Sequence, residues 1–346
     1  MDGALTASSR PPELDALESL IALAGKFAEV KFDLGASAPG TAPMPVYTVA
    51  LGNPSLDVPA VGFFGGVHGL ERIGSLVVLE FLRGIVDRLR WDESLHVQLE
   101  KMRFIFMPLV NPGGMWRGTR ANPAGVDLMR NSPVEATDPA PFMLGGQRIS
   151  RGLPWYRGTM HSKMEPESRT LCDTVSREML ARPFSIALDC HSGFGMRDRL
   201  WFPFAHRRAP FPWLAQLHAL VQTFEGNHTQ HPYVVEPQSR QYLTHGDLWD
   251  HLVLQADAQQ VFLPLTLEMG SWLWIKKNPR QFFSISGLFN PIVEHREQRV
   301  LRRHFPLLDF LVRAALSFRM WLPQGEASVQ QHHRDALARW YSARSA

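Results

Sequence analysis

The sequence predicts an α/β fold: a three-layer sandwich in which a mixed, mostly parallel twisted sheet carries helices on both faces. Three observations lead there. Short, almost wholly apolar runs at 59–67 and 103–110 read as strands buried on both sides. Longer stretches between such runs repeat apolar residues at helical spacing, so strands and helices alternate along the chain. The size and composition, 346 residues with 45% hydrophobic and 20% charged, are those of a globular chain able to bury a sizeable core.

Residues 1–11 read as a flexible tail and 12–28 as the first helix. A strand is expected at 46–51, and the apolar, Gly-rich run 59–67 is the next. From 73 to 89 the pattern is that of an amphipathic helix with Val78, Phe81, Leu82, Ile85 and Val86 on one face. The run 103–110 is another buried strand, ending in the turn Asn111-Pro-Gly-Gly114. Residues 131–165, rich in Pro, Gly and polar side chains, are expected to form an irregular excursion over the surface. A helix at 167–181 leads to a short buried strand at 185–190, and two more strands are expected at 200–204 and 261–267. Helical, Arg-rich patterns occupy 291–322 and resume at 328. No internal repeat or low-complexity segment interrupts this order.

Composition narrows the partners. A formal net charge of +3, with the basic residues scattered, argues against a nucleic-acid surface. No apolar stretch reaches the roughly 18 residues of a membrane span, so no membrane partner is expected. The first ten residues lack a basic segment followed by an apolar core, and Cys172 and Cys190 form neither a disulfide framework nor a spaced metal pair. The expected location is cytoplasmic.

Chemistry concentrates at the ends of the strands. Stepping back along the apolar face of the 73–89 helix leads through Gly74 to Glu71, a carboxylate turned inward, where one is rarely left without a partner. His68 lies three residues before it, close enough for the two to grip one ion; a Glu at a helix N-terminus and a backbone-bonded His is the alternative. His191, in Asp189-Cys-His-Ser-Gly193, and Glu268, closing Leu265-Thr-Leu-Glu268, also sit at or just past the ends of apolar strands. Ligands of open α/β sheets bind outside the carboxyl ends of the strands, so these residues are expected to converge. Two His and one carboxylate with an open fourth position make a catalytic zinc set, and Glu268 beside it is placed to move protons. The segment 118–131 adds Arg120 and Arg130, whose planar forks bind carboxylates and stabilise oxyanions.

The order of these motifs resembles the zinc carboxypeptidase (M14) family. His68-Gly-Leu-Glu71, Asn111-Pro-Gly-Gly114, Gly118-Thr-Arg-Ala-Asn122, Gly125-Val-Asp-Leu-Met-Arg-Asn131, Glu165-Pro-Glu167, a strand ending in His191-Ser192, Tyr242 before Gly246 and a strand ending in Glu268 agree with it from about residue 46 to 312. The His-Gly-x-Glu form is most similar to the bacterial branch of murein peptide amidases and related cytosolic metallopeptidases. The resemblance implies a carboxypeptidase-like catalytic domain over 12–325, with 326–346 as a helical extension. It implies one Zn²⁺ per chain on His68, Glu71 and His191, and Glu268 as general base and acid. Arg120 would polarise the scissile carbonyl, with Arg117 as a second claimant, while Arg130 would bind a substrate carboxylate and Tyr242 would contact the substrate. Glu165-Pro-Glu167 matches a segment that is more architectural than chemical.

One departure bears on the substrate. The family's Asp-Leu-Asn-Arg-Asn reads Asp-Leu-Met-Arg-Asn here, so Met129 stands where an Asn normally shares carboxylate binding. Losing that amide weakens recognition of a free C-terminus by about 1 kcal/mol or more. The expected activity is hydrolysis of an amide next to a substrate carboxylate, with a peptide as substrate. An N-acyl amino acid deacylase, of the aspartoacylase and succinylglutamate desuccinylase type, and a non-catalytic metal-binding protein of the same fold are the alternatives. His245 is a candidate for a second metal.

Overall fold

The computed structural model describes residues 10–40, 42–231 and 233–342. Residues 1–9 of the expected tail lie outside them; Arg10 pairs with Asp15 at 2.6 Å, on the first helix, Pro12–Ala24. The centre is one eight-stranded sheet: β1 (Ala28–Leu34), β2 (Pro45–Gly52), β3 (Ala60–Gly65), β4 (Arg103–Met107), β5 (Phe184–Ser192), β6 (Arg199–Phe202), β7 (Val234–Pro237) and β8 (Val261–Met269). Their order across the sheet is β1-β2-β4-β3-β5-β8-β6-β7. The middle of it, β4-β3-β5-β8, is parallel, as the unbroken apolar runs require. The β1–β2, β2–β4 and β6–β8 pairs are antiparallel, so the sheet is mixed.

Two strands escape sequence patterning. β1 is an edge strand, exposed along most of its length and interrupted by Glu29, Lys31 and Asp33, so its hydrophobic signal is weak. β7 is four residues long and ends in Pro237. The helix Leu214–Asn227 was likewise not anticipated, and the C-terminal helix Gly325–Trp340 packs beside it through His218 and His332. The helix expected at 167–181 is Pro166–Val175, continued by a wider turn at Ser176–Leu180. Within 131–165 the chain forms neither helix nor strand beyond the isolated pairing of Gln147 with Tyr156.

The helix Arg72–Arg88 lies against β5 with no intervening side chain. A Cβ on Gly74 would sit 2.1 Å from the carbonyl oxygen of Cys190, so only Gly allows that approach. Close packing here fixes the start of the helix, and with it Glu71, relative to the end of β5.

Candidate metal centre and active site

The parallel strands β3, β5 and β8 are neighbours in the sheet, and each ends at the same edge. His68 follows β3, His191 is on β5, and Glu268 is on β8 in direct register with His191. Register matters because paired residues of parallel strands project from the same face of the sheet. Glu71 arrives as the N-cap of the helix Arg72–Arg88, one residue ahead of the expected first turn. Its side chain makes no capping bond and turns inward instead.

His68, Glu71 and His191 are all buried, and their ligand atoms lie within 4.8 Å of one another. His68 Nδ1 is 2.9 Å from Glu71 Oε1, His191 Nδ1 is 3.0 Å from Glu71 Oε2, and the two Nδ1 atoms are 3.2 Å apart. Behind them stand two buried aspartates. His68 Nε2 is 3.2 Å from Asp127 Oδ1, and His191 Nε2 is 2.7 Å from Asp189 Oδ2. A carboxylate only accepts, so each Nε2 directs its proton to an aspartate, and Nδ1 is the ring nitrogen of each imidazole that faces Glu71. Two imidazole nitrogens and a carboxylate converging at such distances can take one cation among them. This donor set fits Zn²⁺, which takes imidazole nitrogens and carboxylate oxygens with an aspartate behind each His.

Burial opposes the charge on Glu71, but His68 and His191 outweigh it and hold the carboxyl well below its usual range. Burial likewise opposes a charged His191, and Asp189 and Glu71 overcome it, raising that imidazole. Glu268 goes the other way: burial first, then the Glu71 charge, lifts its carboxyl well above the usual range. A buried carboxyl so poised takes and returns protons near neutral pH.

Arg120 donates from Nε to Asp127 Oδ2 at 2.8 Å and from Nη1 to Glu71 Oε1 at 3.2 Å, which fixes its fork beside the cluster. Arg117 is not brought to the site. It ends the short helix Pro112–Arg117 on the surface, and Gly118, in the left-handed region at φ 63°, turns the chain so that Arg120 enters the cavity instead. Glu165 and Glu167 brace this segment, since Asn122 donates to both at 2.8 and 3.1 Å.

The cavity in front of the cluster has a volume of about 420 Å³. Arg130 also lines it: the residue is 2% exposed, its guanidinium forms no ion pair among the described residues and its Nε has no hydrogen-bond partner, while its charge acts on the Tyr242 hydroxyl and, through space, on Asp127 and Asp247. Its position is set by Gly246, where a Cβ would sit 1.9 Å from the Arg130 carbonyl oxygen, and where φ is +73°. The spacing from Tyr242 to Gly246 therefore has a mechanical reason. Tyr242 lines the cavity too, its ring centroid 6.0 Å from the Arg130 guanidinium carbon, and packs with Phe194 and Trp201. Met129 is buried at the same wall, and Leu144, Pro154 and Trp155 come from the irregular excursion. His245 stands apart, its Nδ1 2.8 Å from Glu135, and does not line the cavity.

Sequence reasoning singled out the three residues that cluster here but gave no role to Asp127 or Asp189. For Asp189 a signal existed: it lies two residues before His191 on one strand, hence on the same face. The indole of Trp249 donates to the same oxygen, Asp189 Oδ2, at 3.0 Å.

Comparison with known proteins agrees with this fold. Over 75 residues, 22% of this chain, the sequence is 33% identical to Carboxypeptidase SOL1 of Arabidopsis thaliana; the match spans 15% of that protein. The fold is that of thrombin activatable fibrinolysis inhibitor (TM-score 0.65, 19% identity, 88% of this chain and 74% of that one). It is also that of the carboxypeptidase A of Helicoverpa armigera (TM-score 0.60, 18% identity, 87% and 71%). Residues 22–262 match the zinc carboxypeptidase model, Peptidase M14, and the chain belongs to that family.

Proposed function

We propose that the protein is a zinc-dependent hydrolase that cleaves an amide bond adjacent to a substrate carboxylate, with a peptide as substrate. The observation that carries this reading is a single cavity lined both by His68, Glu71 and His191 and by the buried Arg130, which forms no ion pair among the described residues. His68, Glu71 and His191 hold the ion, and Asp127 and Asp189 orient the two imidazoles. Zinc bound there supplies Lewis-acid chemistry, making water more acidic and drawing charge from a carbonyl oxygen.

The chain's own residues do the rest. Arg130 takes the substrate carboxylate in its fork, since a buried guanidinium without a direct ion pair gains from an anionic ligand. That contact sets the distance from the carboxylate to the scissile carbonyl. Glu268 accepts the proton of the attacking water and returns it to the departing amine. Arg120, held by Asp127 and Glu71, faces the developing oxyanion without having to reorganise. Tyr242 and the aromatic side chains around it exclude water from the bound substrate.

The decisive variant is Glu268→Gln, which keeps shape and removes the base. Turnover of a peptide panel should fall by at least about a thousandfold, while zinc content by elemental analysis stays at the wild-type level. Undiminished activity would sink the mechanism; hydrolysis of N-acyl amino acids but no peptide would move the substrate to the deacylase class.

A further inference from the structure

We propose that residues 271–292, beside the mouth of the active site, form a docking surface for anionic lipid headgroups. This does not rest on the hydrolase reading. Leaving β8, the chain makes a short helix, Trp272–Lys277, a tight turn, Pro279–Phe283, and a second short helix, Ile285–Phe289. These pieces are knitted together from inside. Gln281, fully buried, donates from Nε2 to the carbonyls of Gly287 at 2.9 Å and Asn290 at 3.0 Å. Arg296 reaches the Gln281 side chain at 3.3 Å, and Ser284 accepts from the Gly287 amide at 3.3 Å.

With the polar groups turned inward, the apolar ones face out. Phe283 is 89% exposed and Phe282 66%, with Trp272 and Ile285 also exposed. Isolated exposed apolar residues are ordinary, but adjacent ones of this size on an ordered segment mark a surface awaiting a partner. The cations indicate which partner. Lys276, Lys277 and Arg280 are exposed in the same stretch, no Asp or Glu occurs between Met269 and Val293, and the acids that border it in space, Glu13, Glu80 and Glu297, line a hollow at its Ser286–Ile292 end. Aromatic rings interleaved with cations suit the boundary between headgroups and acyl chains: the rings enter the apolar layer and the cations meet anionic headgroups. A second copy of the chain suits it less, because a two-fold contact would bring both sets of cations together. The sequence has no membrane span, and this surface needs none.

Its position gives the docking a consequence. Trp272 Nε1 donates to the Gly193 carbonyl at 3.1 Å, Ser192 Oγ donates to the Phe289 carbonyl at 2.7 Å, and Phe289 lines the cavity. A bound surface would therefore lie against a segment that forms part of the cavity wall.

The test is co-sedimentation of the full chain with vesicles of phosphatidylglycerol and phosphatidylcholine in equal parts, against phosphatidylcholine alone. Binding is expected to the anionic vesicles only and to weaken with salt. Phe282→Ser with Phe283→Ser should lower affinity at least about tenfold, and Lys276→Gln with Lys277→Gln about fivefold per cation. Both double variants should keep the wild-type melting temperature and hydrolytic rate, since none of these side chains lines the cavity. Absence of binding to anionic vesicles, or variants that bind like wild type, would overturn the proposal. Self-association abolished by the Phe pair, without lipid binding, would overturn it in favour of a contact between copies. Retention by an acidic protein with none on vesicles would overturn it in favour of a protein partner.

Discussion

Replacing Asp189 by Asn removes one charge and, by the geometry, little else. Both donors that reach this carboxylate arrive at the same oxygen, Oδ2: His191 Nε2 at 2.7 Å and Trp249 Nε1 at 3.0 Å. Oδ1 is buried with no hydrogen-bond partner. An Asn with its carbonyl oxygen in place of Oδ2 keeps both bonds and puts its amide where no partner stood. The amide then lacks an acceptor, at a cost of about 1–3 kcal/mol, offset by no longer burying a charge. The melting temperature should therefore move little. The effect on the metal is larger. A charge-assisted bond to a ligating imidazole becomes a neutral one, losing about 1 kcal/mol of ligand strengthening. Substitutions behind a metal-binding His cost about 10–100-fold in affinity; with the hydrogen bond retained, about tenfold is expected. Asp189→Ala is the contrast. It orphans two buried N–H groups and should lower both the melting temperature and the affinity, the latter by about a hundredfold. Competition titration against a chromophoric zinc chelator, with thermal melts followed by circular dichroism, measures both. Wild-type affinity in Asp189→Asn would refute the argument that this carboxylate tunes a metal-binding His191.

Three further outcomes can be measured. Arg130→Met should cut kcat/KM about 10–100-fold on peptides with a free C-terminal carboxylate and leave amidated ones unaffected. Its melting temperature should not fall, because the variant removes a buried cation that has no ion pair; equal loss on both substrates would sink the assignment. Met129→Asn should lower KM for free-carboxylate peptides about fivefold, by restoring one hydrogen bond, and an unchanged ratio of free to amidated peptides would contradict it. His304 is buried, bonded through Nδ1 to the Tyr233 hydroxyl at 2.8 Å, and its pKa is pushed down to about 4 by burial, against the opposing pull of Asp198. The unfolded chain binds this proton more readily, so the stability is fully present above about pH 6.5 and lost as pH falls toward 4. Roughly 3 kcal/mol is at stake. Urea melts across that window should show the loss, and His304→Gln should remove it; identical slopes would disprove the origin.

The polar residues that converge on the cavity were legible because backbone periodicity places them. A polar side chain that ends an apolar strand has few places to go, and His68, His191 and Glu268 share that signature. Arg117 and Arg120 could not be told apart so simply: they lie three residues apart in one segment, and Gly118 decides which faces the cavity. The walls were invisible for a related reason. Leu144, Pro154 and Trp155 belong to a stretch without periodicity, where no rule links sequence position to direction.

By itself, the sequence determined the alternation of strands and helices, the buried character of the central strands and the identity of the side chains at their ends. These follow from local periodicity and from the cost of burying charge without a partner. Tertiary structure alone decided which strands are neighbours, and so that three strand ends form one site. It also decided that Asp127 and Asp189 turn both Nδ1 atoms inward, and that Arg130 forms no ion pair among the described residues. These are relations between residues far apart in the chain, and register, close packing at Gly74 and Gly246, and the direction of each side chain set them.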